Sequence, residues 1–306
     1  MSMKLAVDCG HGYVKALSTT GQRILFPSLI CPPPGCVDLG EFGTSEMVRM
    51  DDQPYLVGEA AVGHATPLWS RDKAGDPDTL RLILMATAKL GAMGPVQLAT
   101  GLPLSWFGSQ HQTLTAALMG YGATIQLPVQ PARRLWIENV KVYPQGVAAA
   151  SVLIAASDRE PGDYIVVDVG YRTADYVVVT KGSKIRMDPT QAGSLEIGTH
   201  AIAAELADGL EHDYGIPFTA AEVETAHRVH VDGVAVELAQ RRRAAAALTS
   251  QRLKESLTEK LDEKLSKVAG IVLCGGGATV LAGAFPHAML PEQPQWANVQ
   301  AYLGRG

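Results

Sequence analysis

Short apolar blocks at strand spacing alternate along this chain with stretches in which apolar residues recur every three or four positions. Residues 4–30 read as strand, turn, strand and a further short strand at Arg23–Phe26. The Pro-rich stretch Cys31–Gly35 begins an excursion of irregular and strand-like segments to about Gly63. Leu80, Ile83, Leu84 and Thr87 share one side of a helix expected over Asp78–Lys89. A buried-type strand follows at Val96–Thr100, a helix at Ser109–Met119, and strands at Ile125–Val129 and Trp136–Tyr143. A helix from Gln145 to Ser157 then ends in the charged turn Asp158–Asp163.

The second half repeats the scheme. Strands are expected within 164–180 and near Ser183–Asp188, then a helix over Thr199–Tyr214 with Ile202, Leu206 and Leu210 on one face. Ile216–Val231 reads as a small appended segment with helical spacing at Ala220–Ala226. One long helix is expected from Val234 to Val268, with Leu238, Leu248, Leu253, Leu257, Leu261 and Leu265 inward. A strand at 271–274 and a helix near Val280–Phe285 close the pattern. The fold class is therefore α/β: two similar domains around mixed sheets, flanking a cleft. The charged turn sets the expected boundary, with domains over 1–158 and 159–306 and small insertions at about 31–70 and 215–235.

Candidate chemistry sits in a doubled motif. The first copy, Lys4-Leu5-Ala6-Val7-Asp8-Cys9-Gly10-His11-Gly12-Tyr13-Val14-Lys15, has a counterpart in Tyr164-Ile165-Val166-Val167-Asp168-Val169-Gly170-Tyr171-Arg172-Thr173-Ala174-Asp175. In each, an aspartate falls where the first strand ends, and a glycine two residues on leaves backbone N–H groups open to an anion. A single Asp-x-Gly turn is what many plain hairpins contain. Two in matched context point to a polyphosphate held by both, with two carboxylates for a hydrated Mg²⁺. A third element, Gly275-Gly276-Gly277 between a strand and a helix start, lets backbone lie flat against a ring or a ribose phosphate.

In this order the three elements resemble the phosphate-1, phosphate-2 and adenosine motifs of the actin, sugar kinase and heat-shock chaperone ATPase superfamily. Within it the chain is most similar to the ParM-type bacterial and archaeal actin-like proteins. That narrower likeness rests on Tyr55–Ala61, Ala99–Pro103, Tyr143–Ala150 and Gly193–Gly198. The resemblance implies two actin-like (ribonuclease H-like) domains around a nucleotide cleft. ATP is the implied ligand, with GTP tolerated. Asp8 and Asp168 would hold Mg²⁺ mostly through water, and Lys15 would reach the β-phosphate. Gly10, His11, Gly12 and Tyr13 would form the first phosphate turn, and Gly170, Tyr171, Arg172 and Thr173 the second. His11 and Arg172 depart from the family pattern. Gln145 takes the place of the residue that orients the attacking water, and Asp175 shares the metal or water network. Gly198 and Gly275 to Gly277 would face the base and ribose, with Glu224, His227 and Arg228 closing over the adenine edge.

Composition narrows the classes. At 47% hydrophobic and 19% charged, the chain is ordinary globular material. A net charge of −5 gives no overall basic footprint for direct nucleic-acid binding, and Arg241-Arg242-Arg243 reads as a solvated helix face. No apolar run is long enough to span a membrane, no signal-peptide pattern opens the chain, and four cysteines fit a reducing cytoplasm. Cys31 and Cys36 flank a proline loop without further ligands, which argues against a metal site there.

Three functions follow from the resemblance. The first is a slow ATPase that polymerises head to tail into dynamic filaments, for plasmid or DNA segregation through a DNA-binding adaptor, or for another cytoskeletal role. The second is a small-molecule kinase, for which no acceptor-side general base is visible. The third is a non-polymerising nucleotide switch.

Overall fold

The computed structural model describes residues 2–35, 47–68, 70–156 and 158–305. These form two compact units: residues 1–149 together with 296–306, and residues 150–295.

Strands of the first unit are β1 (Met3–Cys9), β2 (Tyr13–Ser18), β3 (Arg23–Pro27), β4 (Ile30–Cys31), β5 (Val48–Met50), β6 (Gln53–Val57), β7 (Gly94–Leu102), β8 (Gly122–Gln126) and β9 (Arg133–Pro144). They make one sheet in the order β3-β2-β1-β7-β9-β8-β5-β6-β4. β1, β7 and β9 run parallel, and the hairpin partners run antiparallel. Helix α1 (Pro77–Lys89) starts where Asp76 accepts from the Asp78 N–H and Pro77 has no N–H that would need an acceptor. Leu82, Ile83, Leu84 and Met85 in α1 are all buried, so this helix is enclosed well beyond a single stripe. Helix α2 (Leu104–Leu118) packs on β9 and β7 through Leu114 and Leu118. Helix α3 (Val147–Ala155) follows β9.

The second unit contains β10 (Gly162–Val169), β11 (Ala174–Lys181), β12 (Ile185–Leu195), α4 (His200–Tyr214), α5 (Ala220–Glu224), β13 (Arg228–Val231), β14 (Val234–Glu237), α6 (Ala239–Leu261), α7 (Lys264–Lys267), β15 (Gly270–Cys274) and α8 (Ala278–Leu281). Its main sheet runs β12-β11-β10-β15, antiparallel except for the parallel β10–β15 pair. That is the scheme of β3-β2-β1-β7 over again. Ile165, Val167 and Leu273 of the sheet meet Leu253, Leu257 and Leu281 in one core. A second cluster, with Leu206, Leu210, Val223 and Leu238, fastens the appended segment.

Three expectations need correction. The compact units divide at Ala149/Ala150, not in the charged turn, and the chain end returns to the first unit. There α9 (Ala297–Arg305) packs on β1, β2 and β7. Its Tyr302 is fully buried, stacks on Tyr143 at 5.7 Å, and occupies the space a side chain at Gly101 would need. Burying an aromatic of that size contributes roughly 1.5–3 kcal/mol, and buried Ala297, Val299 and Ala301 add to it in docking this nine-residue helix, which periodicity alone leaves unread. Second, the long helix starts at Ala239, because Val234–Glu237 pairs with β13. Asp232 and Gly233 both take positive φ (49° and 82°), the two-residue hairpin turn that Asp-Gly favours. Third, Leu248 is 40% exposed, while Ala245, Leu253, Leu257 and Leu261 form the inward stripe. Cys36 lies outside the described residues.

Candidate functional site

In the first unit, the turn between β1 and β2 carries Asp8. The Gly10 N–H closes it on the Tyr13 carbonyl at 3.2 Å, and a side chain at Gly10 would press on that oxygen. Ser28, fully buried, clamps the turn from the next strand connection: its hydroxyl donates to the Gly10 carbonyl (2.7 Å) and its N–H to that of Gly12 (2.8 Å). Register sets Lys15 opposite Asp8, and the ammonium meets Asp8 Oδ2 at 3.2 Å. Lys15 is thus an ion-pair partner at the turn and not a solvated strand lysine.

Asp8 has a second partner. The Gln145 amide Nε2 donates to Asp8 Oδ1 at 2.6 Å. An ionised carboxylate only accepts, so the amide nitrogen must face it and the Gln145 carbonyl oxygen is turned elsewhere, available to accept from a water. The backbone holds Gln145 there. Its N–H donates to the Leu102 carbonyl (2.9 Å), Gly146 takes φ of 72°, and the Gly146 N–H donates to Asn298 Oδ1 of α9 (2.9 Å). His11 is buried; its Nε2 lies 3.4 Å from the Ser70 carbonyl and its ring meets Trp106 edge-on at 5.7 Å.

The second unit builds the same turn. Gly170 N–H donates to the Thr173 carbonyl at 2.8 Å, and register sets Asp175 opposite Asp168. Both aspartates are buried, at 7% and 8% exposure. Facing carboxylates repel, and a divalent cation nearby relieves that repulsion; this donor pair therefore fits Mg²⁺. Among the described residues no group of three or more His, Cys, Asp or Glu could hold a metal ion.

The glycine turn abuts Asp168. Gly275 takes φ of 87°, and a Cβ there would overlap Asp168 Oδ1 and come within 2.5 Å of the Val169 carbonyl. The Gly277 N–H donates to that same carbonyl (2.9 Å). Gly275→Ala is expected to cost about 2–4 kcal/mol through left-handed backbone and displaced Asp168. Chemical denaturation of the variant would measure this, with wild-type stability as the contrary result. Gly198 packs against the Tyr171 and Arg172 backbone, where α4 returns N–H bonds from Thr199 and His200 to the turn's carbonyls. The Tyr171 hydroxyl donates to Glu224 Oε2 at 3.0 Å and lies 3.1 Å from His200 Nδ1. Arg172 pairs with Glu196 at 3.0 Å.

Beside α8, an open pocket of about 360 Å³ is lined by His227, Glu237, Arg242, Arg243 and Val280. Guanidinium planes and an aliphatic wall suit a flat aromatic ring. The Arg cluster is therefore not a plain solvated face. Arg241 pairs with Asp213 (2.6 Å), Arg242 donates to the Val223 and Ala226 carbonyls (both 2.6 Å), and Arg243 faces the pocket.

Two family models match the chain: actin-like proteins, N-terminal domain, over residues 6–147, and archaeal actin homologue MreB-like, C-terminal, over residues 166–286. The chain belongs to the actin-like proteins. An archaeal actin homolog of Thermoplasma acidophilum is 25% identical over 97% of this chain and 97% of its own. The actin-like fold also appears in a ParM from a 15-stranded filament of Clostridium botulinum, with TM-score 0.83 and 20% identity over 99% and 98% of the two chains. An archaeal actin homolog in complex with ADP matches equally, with TM-score 0.83 and 22% identity over 99% and 98%.

Within each unit of this actin-like chain, the structure assembles the turn residues read from the sequence. It adds Ser28 and Asn298, which carry no local motif, and Arg242 and Arg243, whose cluster the sequence reading assigns to a solvated helix face. Of the three appended-segment residues, His227 lines the pocket, Glu224 holds Tyr171, and Arg228 opens β13 opposite Glu237. Burial also sets the thiols. It pushes Cys9 up to about 11, against the Lys73 charge, and Cys274 well above the ordinary 9.0, aided by the Asp168 charge. Both should resist iodoacetamide at about pH 8 until the protein is unfolded. Between about pH 9 and 11 the unfolded chain loses thiol protons that the folded chain keeps, so stability should fall as pH rises through that window. A flat urea midpoint from pH 8 to 10.5 would contradict this.

Among the described residues, no helix is long and apolar enough to cross a membrane.

Proposed function

We propose that this chain is a slow, cytoplasmic Mg-ATPase whose nucleotide state controls head-to-tail assembly into filaments. The observation that carries the reading is Gln145, fixed by its amide to Asp8 beside a glycine turn that the second unit duplicates. The backbone N–H groups of His11 to Tyr13 and Tyr171 to Thr173, next to the Gly10 and Gly170 N–H groups that close the turns, would take the polyphosphate of ATP, with Lys15 adding positive charge. Asp168 and Asp175 would hold Mg²⁺ through water, with Asp8 on the same ion; the metal would neutralise charge developing on the phosphates. The pocket beside α8 would seat the base, with Gly275 to Gly277 against the ribose. A neutral amide aligns water for in-line attack but is a poor proton acceptor, so turnover is expected to be slow, as suits a timer.

Family membership supports nucleotide binding, and the ParM filament among the fold's relatives supports self-association. Non-closing heterologous contacts give filaments of such a subunit. Plasmid or DNA segregation through a DNA-binding adaptor is the role we assign, and ATP is preferred with GTP tolerated. The test is sedimentation and electron microscopy across protein concentrations with Mg-ATP. Pelleting above a critical concentration is expected. Its absence, with ADP release that needs an added small-molecule acceptor, would establish the kinase alternative instead.

A further inference from the structure

Lys73 is enclosed by the fold and left without an acceptor. It is 3% exposed, and its ammonium has no hydrogen-bond partner. Buried charges are ordinarily paired, because removing an ammonium from water without compensation is costly.

Its surroundings place it at the first phosphate turn. The 70–76 segment begins against that turn, where the Ser70 carbonyl lies 3.4 Å from His11 Nε2. Gln110 of α2 clamps the segment twice, accepting from the Lys73 N–H at 3.1 Å and donating to the Arg71 carbonyl at 2.7 Å. Trp106, one helical turn earlier, holds His11 edge-on. The thiol of Cys9, between Asp8 and Gly10, feels the Lys73 charge more strongly than that of Asp8, Asp76 or Lys15.

Nearby carboxylates are already committed. Asp76 accepts at both oxygens as the cap of α1, from the Asp78 N–H and the Thr79 hydroxyl. Asp8 and Lys15 offset one another, and Gln145 is neutral. Lys73 is therefore the unmatched positive charge at a turn whose ligand would carry several negative ones.

We propose that Lys73 is a nucleotide-binding residue, donating from its ammonium to a phosphate oxygen of ATP held at the Gly10–Gly12 turn. This rests on the ATP reading above. A phosphate supplies the acceptor the folded protein lacks, so the same lysine burdens the empty protein and strengthens the loaded one.

The test uses Lys73→Met and Lys73→Gln, each melted without ligand and titrated calorimetrically with Mg-ATP and Mg-ADP. The empty variants should melt at or above the wild-type midpoint, while Mg-ATP affinity falls about tenfold or more. A lysine needed only for packing would lower the empty midpoint and leave affinity alone, and that result overturns the proposal. Unchanged affinity in either folded variant does the same. If wild-type protein binds no Mg-ATP, the ATP reading fails first and this inference falls with it.

Discussion

Asp168→Asn should abolish Mg-dependent ATP hydrolysis, by about 10³-fold or more, while leaving the protein folded. The change keeps shape and hydrogen-bonding capacity but removes one of two buried charges facing each other across β10 and β11. With Asp175 alone opposite an amide, the charge that would attract Mg²⁺ is halved, and the repulsion that the cation relieves is gone. Two measurements separate this from general damage. The melting midpoint without nucleotide should stay within about 3 °C of wild type, and the hydrolysis remaining should no longer depend on Mg²⁺ concentration. Hydrolysis at the wild-type rate with ordinary Mg²⁺ dependence would remove Asp168 from the metal site.

Gln145→Ala should do something different. Nothing in its place would orient the water, so single-turnover hydrolysis should slow about 10²-fold. Nucleotide affinity should change little, since Gln145 touches Asp8 through its amide and the backbone path that holds it is untouched. If filaments form, they should persist longer in Mg-ATP because their timer is slowed. Asn298→Ala tests the support: Gly146 would lose its acceptor across 152 positions, and a smaller loss of rate with unchanged affinity is expected. A Gln145→Ala protein that hydrolyses ATP at the wild-type rate would strip the residue of its role.

The two turns were legible because each is local. Asp8 and Lys15, like Asp168 and Asp175, are seven positions apart and meet through hairpin register, which apolar alternation and one glycine specify. Periodicity likewise located α1, α4 and most of α6. Asp232-Gly233 is also the turn signal of the β13–β14 hairpin, but the helical spacing downstream runs back over residues 234–238 and masks it. Tyr171 and Arg172 read as phosphate contacts from position alone; their partners Glu224 and Glu196 lie 53 and 24 residues away.

Sequence alone determined the doubled strand-turn-strand plan, the acidic residue at each strand end and the glycines that leave backbone N–H groups open. These follow from steric and register rules acting over about ten residues. Tertiary structure alone decided that Ser28 and Asn298 brace the first turn, that α9 belongs to the first unit, that Arg243 faces a pocket, and that Lys73 is shut in without a partner. Each of those depends on which distant surfaces pack together, and a side chain's partner across such a distance leaves no period in the chain.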